Sequence, residues 1–213
     1  MNPAKRSVDL FLSVCGLLLL WPLFLVIAAL IKAEDGGPVF FSQKRAGFGG
    51  TPFTIWKFRT MVPDAESRGP HLTSSDDQRV TKIGARLRAR KLDELPQLFN
   101  VVFGEMSLVG PRPEVPRYVA MYTPDQRKVL ELVPGITDRA SIAFADEGAR
   151  LAAATDPERL YVDSIMPEKI RINLEYATSA GVLNDLRVIL GTVGHVVRRP
   201  SPRARYDLGV PSP

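Results

Sequence analysis

From Leu10 to Ile31 the chain runs for 22 residues without a charge, and only Ser13, Gly16 and Pro22 depart from a bulky apolar pattern. As a helix this run measures about 33 Å at 1.5 Å per residue, enough to reach across a bilayer core. No second run of the kind occurs in the 213 residues, which excludes transporters, channels and multi-pass enzymes. A cleavable leader is not expected: the stretch exceeds an ordinary h-region, and Ala28-Ala29-Leu30-Ile31-Lys32 offers no A-x-A site. Proline in mid-helix removes a backbone hydrogen bond and crowds the preceding turn, so a kink or break is expected near Trp21-Pro22. Lys5 and Arg6, ahead of the run, are expected to anchor at lipid headgroups; Lys32, Lys44 and Arg45 follow it. With cations on both flanks the positive-inside rule chooses no orientation. On the residues alone a kinked span and a re-entrant helix that breaks at Pro22 and returns to the same face both stay open.

The charge balance separates anchor from body. Of the net +5, residues 1–32 hold +2, from Lys5, Arg6 and Lys32 against Asp9, leaving a mildly basic remainder. Local clusters matter more: Arg86, Arg88, Arg90 and Lys91 in the middle, and Arg198, Arg199, Arg203 and Arg205 near the end. No nucleic-acid-binding motif or aromatic platform accompanies them, so nucleic acid is not an expected partner; beside an apolar segment, anionic lipid and phosphorylated substrates are. The single cysteine, Cys15, excludes disulfide frameworks, zinc fingers and iron–sulfur clusters.

The spacing predicts an α+β, mostly helical chain. Residues 1–33 form the anchor, 34–199 a cytoplasmic membrane-associated body, and 200–213, with four of the 18 prolines, a disordered tail. Val39–Arg45 and Phe53–Thr60 read as strands of a short hairpin joined by a glycine-rich loop. A basic helix covers 81–90, and a second helix starts near Asp93. Leu95, Leu98, Phe99, Val102 and Phe103 form its apolar stripe, with Asp93 at the N-cap position and Pro96 in the first turn. Asp93 and Glu94 therefore point away from the face expected to be buried. Residues 106–113 read as a fixed extended loop, because Pro111 and Pro113 bracket Arg112. Short helices are expected at 114–121, 124–131, 146–154 and 157–177, with a turn at 133–137 between them. The amphipathic segment 183–197 is expected to lie on the membrane surface.

No phosphate loop, dinucleotide fingerprint or H-E-x-x-H motif is present, and His71 and His195 read as solvated histidines rather than bases. What remains is a carboxylate pair among cations: Asp93-Glu94, the proline-fixed Arg112, and Lys57 and Arg59 on the hairpin strand. Guanidinium groups bind phosphate bidentately, and an ionised carboxylate can ligate Mg²⁺ or attack phosphorus. The bland reading of Asp93 as a helix cap and Arg112 as a surface arginine stays open on this ground alone.

Four stretches in fixed order resemble the bacterial sugar transferases that initiate glycoconjugate assembly, the monotopic polyprenyl-phosphate phosphoglycosyl transferases in their small form. They are Lys5-Arg6-Ser7-Val8-Asp9 with Gly37 to Arg45, Lys57-Phe58-Arg59-Thr60-Met61, Leu92 to Leu98, and Met106 to Pro113. The resemblance spans about residues 4–190 and thins beyond Thr137. It implies transfer of a sugar-1-phosphate from a UDP-sugar to polyprenyl (undecaprenyl) phosphate through a covalent aspartyl intermediate, with release of UMP, at the cytoplasmic face of a bacterial inner membrane. Asp93 would be the nucleophile, Glu94 a Mg²⁺ ligand, and Arg112, Lys57, Arg59 and Arg88 the phosphate-binding cations, with Pro111 and Pro113 shaping the loop. The resemblance also favours the re-entrant anchor broken at Pro22, and leaves a homodimer open. Where many relatives have glycine after the proline-glycine-isoleucine-threonine motif, this chain has Asp138-Arg139-Ala140-Ser141, so the sugar is not implied. A non-enzymatic membrane-surface binding protein and a metal-dependent polyprenyl diphosphate hydrolase are the competing expectations.

Overall fold

The computed structural model describes residues 2–67, 69, 72–75 and 77–198; His71 and the tail expected at 200–213 lie outside them. The apolar run is the middle of one helix, α1 (Pro3–Asp35), opened by the Asn2 side chain, which accepts from Ala4 N, and closed by Gly36 in left-handed backbone at φ 71°. By length and composition α1 could cross a membrane. The expected break at Pro22 is corrected: the helix is unbroken from end to end. One missing hydrogen bond is tolerated because the turns on both sides are held to the body. Leu98 Cδ1 lies where it would meet a Cβ on Gly16 at 3.4 Å, and the Phe24 ring stands 5.1 Å from that of Phe58.

α1 has two faces. Its buried residues, Asp9, Ser13, Ile27 and Ile31, fall on one lengthwise stripe at about 100° per residue. Phe11, Leu18, Leu19, Trp21, Leu25, Val26 and Leu30 project from the other side and are exposed. Both ends are bonded to the same body. Lys5 Nζ lies 2.5 Å from Asp185 and donates to Val109 O at 3.1 Å, Arg6 donates to Val101 O at 2.8 Å, and Asp9 accepts from Ser107 Oγ at 2.7 Å. At the far end Asp35 pairs with Arg59, and Glu34 accepts from Ile83 N at 3.1 Å. The sequence suggests headgroup anchoring for Lys5 and Arg6, but here both are engaged by the body: Arg6 binds carbonyls at the end of a short helix, and Lys5 binds the buried Asp185 carboxylate beside the Tyr176 hydroxyl.

The hairpin forms as expected: β1 (Phe40–Ala46) and β2 (Pro52–Phe58) pair antiparallel, Phe40 opposite Phe58 and Ala46 opposite Pro52. Phe53, Ile55 and Lys57 share one face, the first two packed with Val101 and Met106; Phe58, on the other, packs against Ile27 and Ile31 of α1. α2 (Lys82–Ala89) starts at a Thr81 cap, and a 3₁₀ turn, Leu92–Glu94, leads to α3 (Gln97–Val102). The stretch 107–109, expected as loop, is a strand, β3 (Ser107–Val109), paired parallel with β4 (Gly135–Thr137), which the sequence presents as a turn. Beyond it a helical layer carries the largest apolar core, Tyr118, Tyr122, Val129, Leu151, Tyr161, Ile165, Met166 and Ile170. Its helices are α4 (Pro116–Val119), α5 (Arg139–Ala143), α6 (Glu147–Ala152), α7 (Pro157–Leu160), which continues through a π turn into α8 (Met166–Ala177), and α9 (Val182–Arg198). α9 leaves Leu183, Leu186, Leu190 and Val193 exposed and buries Val188.

Candidate active site

α3 inverts the expected burial. Its apolar stripe lies along α1 and stays partly open, with Phe103 70% exposed, whereas its polar residues Gln97 and Asn100 are fully buried. Asn100 fastens α3 to the hairpin: its amide donates to Thr54 O at 2.7 Å and its oxygen accepts from Trp56 N at 3.1 Å. The polar face of this segment, with Asp93 and Glu94 just ahead of it, therefore points into the protein. Neither acid caps a helix; the N-cap of α3 is Pro96, and the two carboxylates sit in the 3₁₀ turn after Lys91, which adopts left-handed backbone at φ 56°. A non-glycine residue there is uncommon and sits frequently where a site needs its neighbours aimed.

Lys57 reaches this turn because it extends the inward face of β2 one step past Ile55. Its Nζ donates to Glu94 Oε1 at 3.0 Å, and Arg112 Nη2 donates to the same oxygen at 2.5 Å. Burial alone would raise the Glu94 pKa, but Arg112, Lys57 and Lys91 outweigh it and hold the carboxyl well below its usual range. Burial, only partly offset by Glu94, pushes Lys57 down to about 8. Asp93 behaves oppositely: burial and the adjacent Glu94 charge raise it, and Lys57, Arg88 and Lys91 offset this only in part. Two neighbouring carboxyls with environments that drive their proton affinities apart are suited to different tasks.

The unbonded atoms are as telling. Asp93 Oδ1 is buried without any donor, and both amide atoms of the fully buried Gln97 also lack partners. Among the described residues no group of three or more His, Cys, Asp or Glu gathers to hold a metal. Two carboxylates with unspent lone pairs nevertheless suit Mg²⁺, which keeps several waters and is commonly bound by one or two carboxylates plus substrate phosphate.

Arg88 Nε donates to Thr60 Oγ1 at 2.7 Å, and its charge is among those that offset the rise of the Asp93 carboxyl. Arg59 is not at the Asp93-Glu94 turn. β2 ends at Phe58, so strand alternation does not carry Arg59 to the side of Lys57; it donates instead to Asp35, Pro38 O and Met61 O and fixes the end of α1. Pro111 and Pro113 flank Arg112, and their carbonyls accept from Gly135 N at 2.9 Å and Arg45 Nη1 at 3.1 Å. Arg45, Thr60 and Gln97 escaped the sequence reading as site residues, although each stands inside a stretch that carries the family resemblance.

The chain is similar to curated proteins of this chemistry. It is 42% identical over 135 residues to a putative undecaprenyl-phosphate N-acetylgalactosaminyl 1-phosphate transferase of Bacillus subtilis, covering 63% of this chain and 72% of that protein. It is 36% identical over 194 residues to a UDP-glucose:undecaprenyl-phosphate glucose-1-phosphate transferase of Caulobacter vibrioides, covering 89% and 68%. A 45% match over 164 residues to the UDP-N-acetylgalactosamine-undecaprenyl-phosphate N-acetylgalactosaminephosphotransferase of Aeromonas hydrophila covers 75% of this chain but only 37% of that protein. The chain thus spans little more than a third of the length of the larger relatives it matches. The family model described as bacterial sugar transferase matches residues 1–199, a range that takes in α1, the hairpin, the Asp93-Glu94 turn and the Arg112 loop, and the chain belongs to that family.

Proposed function

We propose that this protein transfers a sugar-1-phosphate from a UDP-sugar to a polyprenyl phosphate in two displacements at Asp93. The observation that carries this reading is the Asp93 carboxylate: buried, without a hydrogen-bond donor on Oδ1, beside a Glu94 held ionised by Lys57 and Arg112. A carboxylate oxygen that no donor damps and whose basicity is raised is a competent nucleophile toward phosphorus. It attacks the sugar-bearing phosphorus, the bridging P–O bond breaks, and UMP leaves with the electron pair. A phosphate oxygen of the polyprenyl acceptor then attacks the same phosphorus, the acyl phosphate bond breaks, and the Asp93 carboxylate returns. The acyl phosphate stays reactive, so the exchange requires no outside energy source. Arg112, Lys57 and Arg88 supply positive charge where two anions must meet. Mg²⁺ held by Glu94 with donor phosphate oxygens would lower the same repulsion.

Membrane placement follows from α1. A helix bonded to one body at both ends, with an unbroken apolar face turned outward, supports a monotopic arrangement in which both ends stay on one side of the bilayer, here the cytoplasmic face of the bacterial inner membrane. Phe103 and the leucines of α9 are exposed apolar side chains too, of the kind that suits a membrane surface.

The test is UMP release by the full chain in lipid nanodiscs with Mg²⁺, polyprenyl phosphate and a panel of UDP-sugars. Turnover retained in Asp93→Asn would sink the nucleophile assignment, and inorganic phosphate released without a nucleotide donor would favour a hydrolase. With Cys15→Ser as background, cysteines at Asn2 and Glu34 should label from the same side; labelling from opposite sides contradicts the monotopic reading.

A further inference from the structure

Asp138 is the least exposed carboxylate among the described residues, at 1%. Its two oxygens are each given one backbone N–H. Oδ1 accepts from Ser141 N at 2.5 Å, which caps α5, and Oδ2 accepts from Arg112 N at 2.8 Å, reaching 26 residues back along the chain. Proline has no N–H, so within Pro111-Arg112-Pro113 the Arg112 amide is the sole backbone donor, and Asp138 takes it. The seat is close-fitting as well: a Cβ on Gly110 would stand 2.2 Å from Val133 O, and one on Gly135 would stand 2.0 Å from Gly110 N. Backbone bonds from Gly110 N to Thr137 O and from Gly135 N to Pro111 O complete it.

We propose that Asp138 is a positioning residue for phosphate recognition, fixing the backbone from which the Arg112 guanidinium is aimed at Glu94 and at the phosphates of the donor. The inference rests on the reading of Arg112 as a phosphate-binding group. Its chemistry demands a carboxylate. Two N–H donors converge on the side chain, and asparagine can accept from only one of them, while its own NH₂ group faces the other. Asp138 also ties the Arg112 amide itself to the start of α5, alongside the backbone bonds that hold the neighbouring residues.

The test is made on the full chain in lipid nanodiscs, with Asp138→Ala and Asp138→Asn, alone and combined with Arg112→Ala. Hydrogen exchange in the peptide containing Arg112 should quicken roughly tenfold or more in Asp138→Ala, with Asp138→Asn between it and wild type. In parallel, kcat/KM for the UDP-sugar should fall roughly ten- to a hundredfold, with Asp138→Asn again intermediate, and KM should take a clear share of the loss. In the Arg112→Ala background the same Asp138 substitution should change kcat/KM by less than about threefold, because residues acting through one group do not add. Unchanged exchange at Arg112, or losses that multiply in full, overturns the proposal. That outcome is distinguishable from failure of the phosphate reading itself, in which Arg112→Ala turns over like wild type and takes the role of Asp138 with it. Should Asp138→Ala fail to fold, the isosteric Asp138→Asn decides between the same outcomes.

Discussion

Lys57 lies half-buried against Glu94 with a pKa of about 8, against an ordinary 10.5, because its partial desolvation disfavours its charge more than Glu94 restores it. Two consequences of opposite sign follow. If the ammonium helps to neutralise donor phosphate, turnover tracks the protonated fraction, which falls roughly tenfold between pH 7 and pH 9 for a group of this pKa. Stability moves the other way. Between pH 8 and 10.5 the unfolded chain holds this proton more than the native one does, so the Lys57 contribution to stability rises with pH across that window. At about 1.4 kcal/mol per tenfold in proton affinity, the whole window amounts to about 3 kcal/mol. The perturbation is Lys57→Arg, which stays charged throughout. The assay is UMP release and the urea midpoint from pH 7 to 10, read as the difference between wild type and variant so that other titrating groups cancel. Wild type should lose activity with a midpoint near pH 8 and gain stability relative to the variant; Glu94→Gln, removing the favourable charge, should move the onset of the stability rise to lower pH. An alkaline limb at the same pH in a folded Lys57→Arg enzyme, or a relative stability that falls above pH 8, refutes the assignment.

Three further outcomes are expected. A Cβ added in Gly84→Ala would stand 2.1 Å from Thr60 O, a backbone atom already bonded to Thr81 N, so a loss of about 1–3 kcal/mol is expected as a lowered thermal midpoint, with Arg88 displaced along with Thr60. Arg59→Gln and Arg112→Gln should separate: the first lowers stability by about 1–2 kcal/mol by releasing Asp35 while leaving KM for the UDP-sugar unchanged, and the second raises KM. Chelation with EDTA should abolish UMP release and added Mg²⁺ should restore it, whereas the thermal midpoint of the substrate-free chain should scarcely move, since two carboxylates without phosphate make a weak site.

Much of the local structure was legible because its causes are local. The hairpin follows from β-branched and aromatic runs around a glycine-rich loop, α2 from Thr81 ahead of a basic helical segment, and α9 from its amphipathic spacing. The helix expected at 157–177 exists as α7, a π turn and α8. Parallel pairing of β3 with β4 was not legible, because three-residue strands brought together across a long connection leave no period in sequence. Arg59 shows the same limit at one residue: alternation predicts its side only while the strand lasts, and β2 ends one residue earlier.

The sequence by itself determined that a long apolar helix precedes a carboxylate pair and a proline-fixed arginine, since hydrophobic run length, residue type and missing N–H groups depend on no partner. Tertiary structure decided which way those parts face. The stripe on α3 has helical spacing in either case, yet it lies toward α1 and open space, and the acids read as outward-facing are buried. Periodicity establishes that a helix has two faces, whereas the surroundings decide which is inside. Against an outward apolar surface such as α1 presents, the polar face with its ion pairs turns into the protein, where Lys57 and Arg112 meet Glu94. The same packing ties both ends of α1 to one body, so its course depends on Lys5, Arg6, Asp9 and Asp35 finding partners up to 180 residues away, contacts that no local pattern around Pro22 encodes.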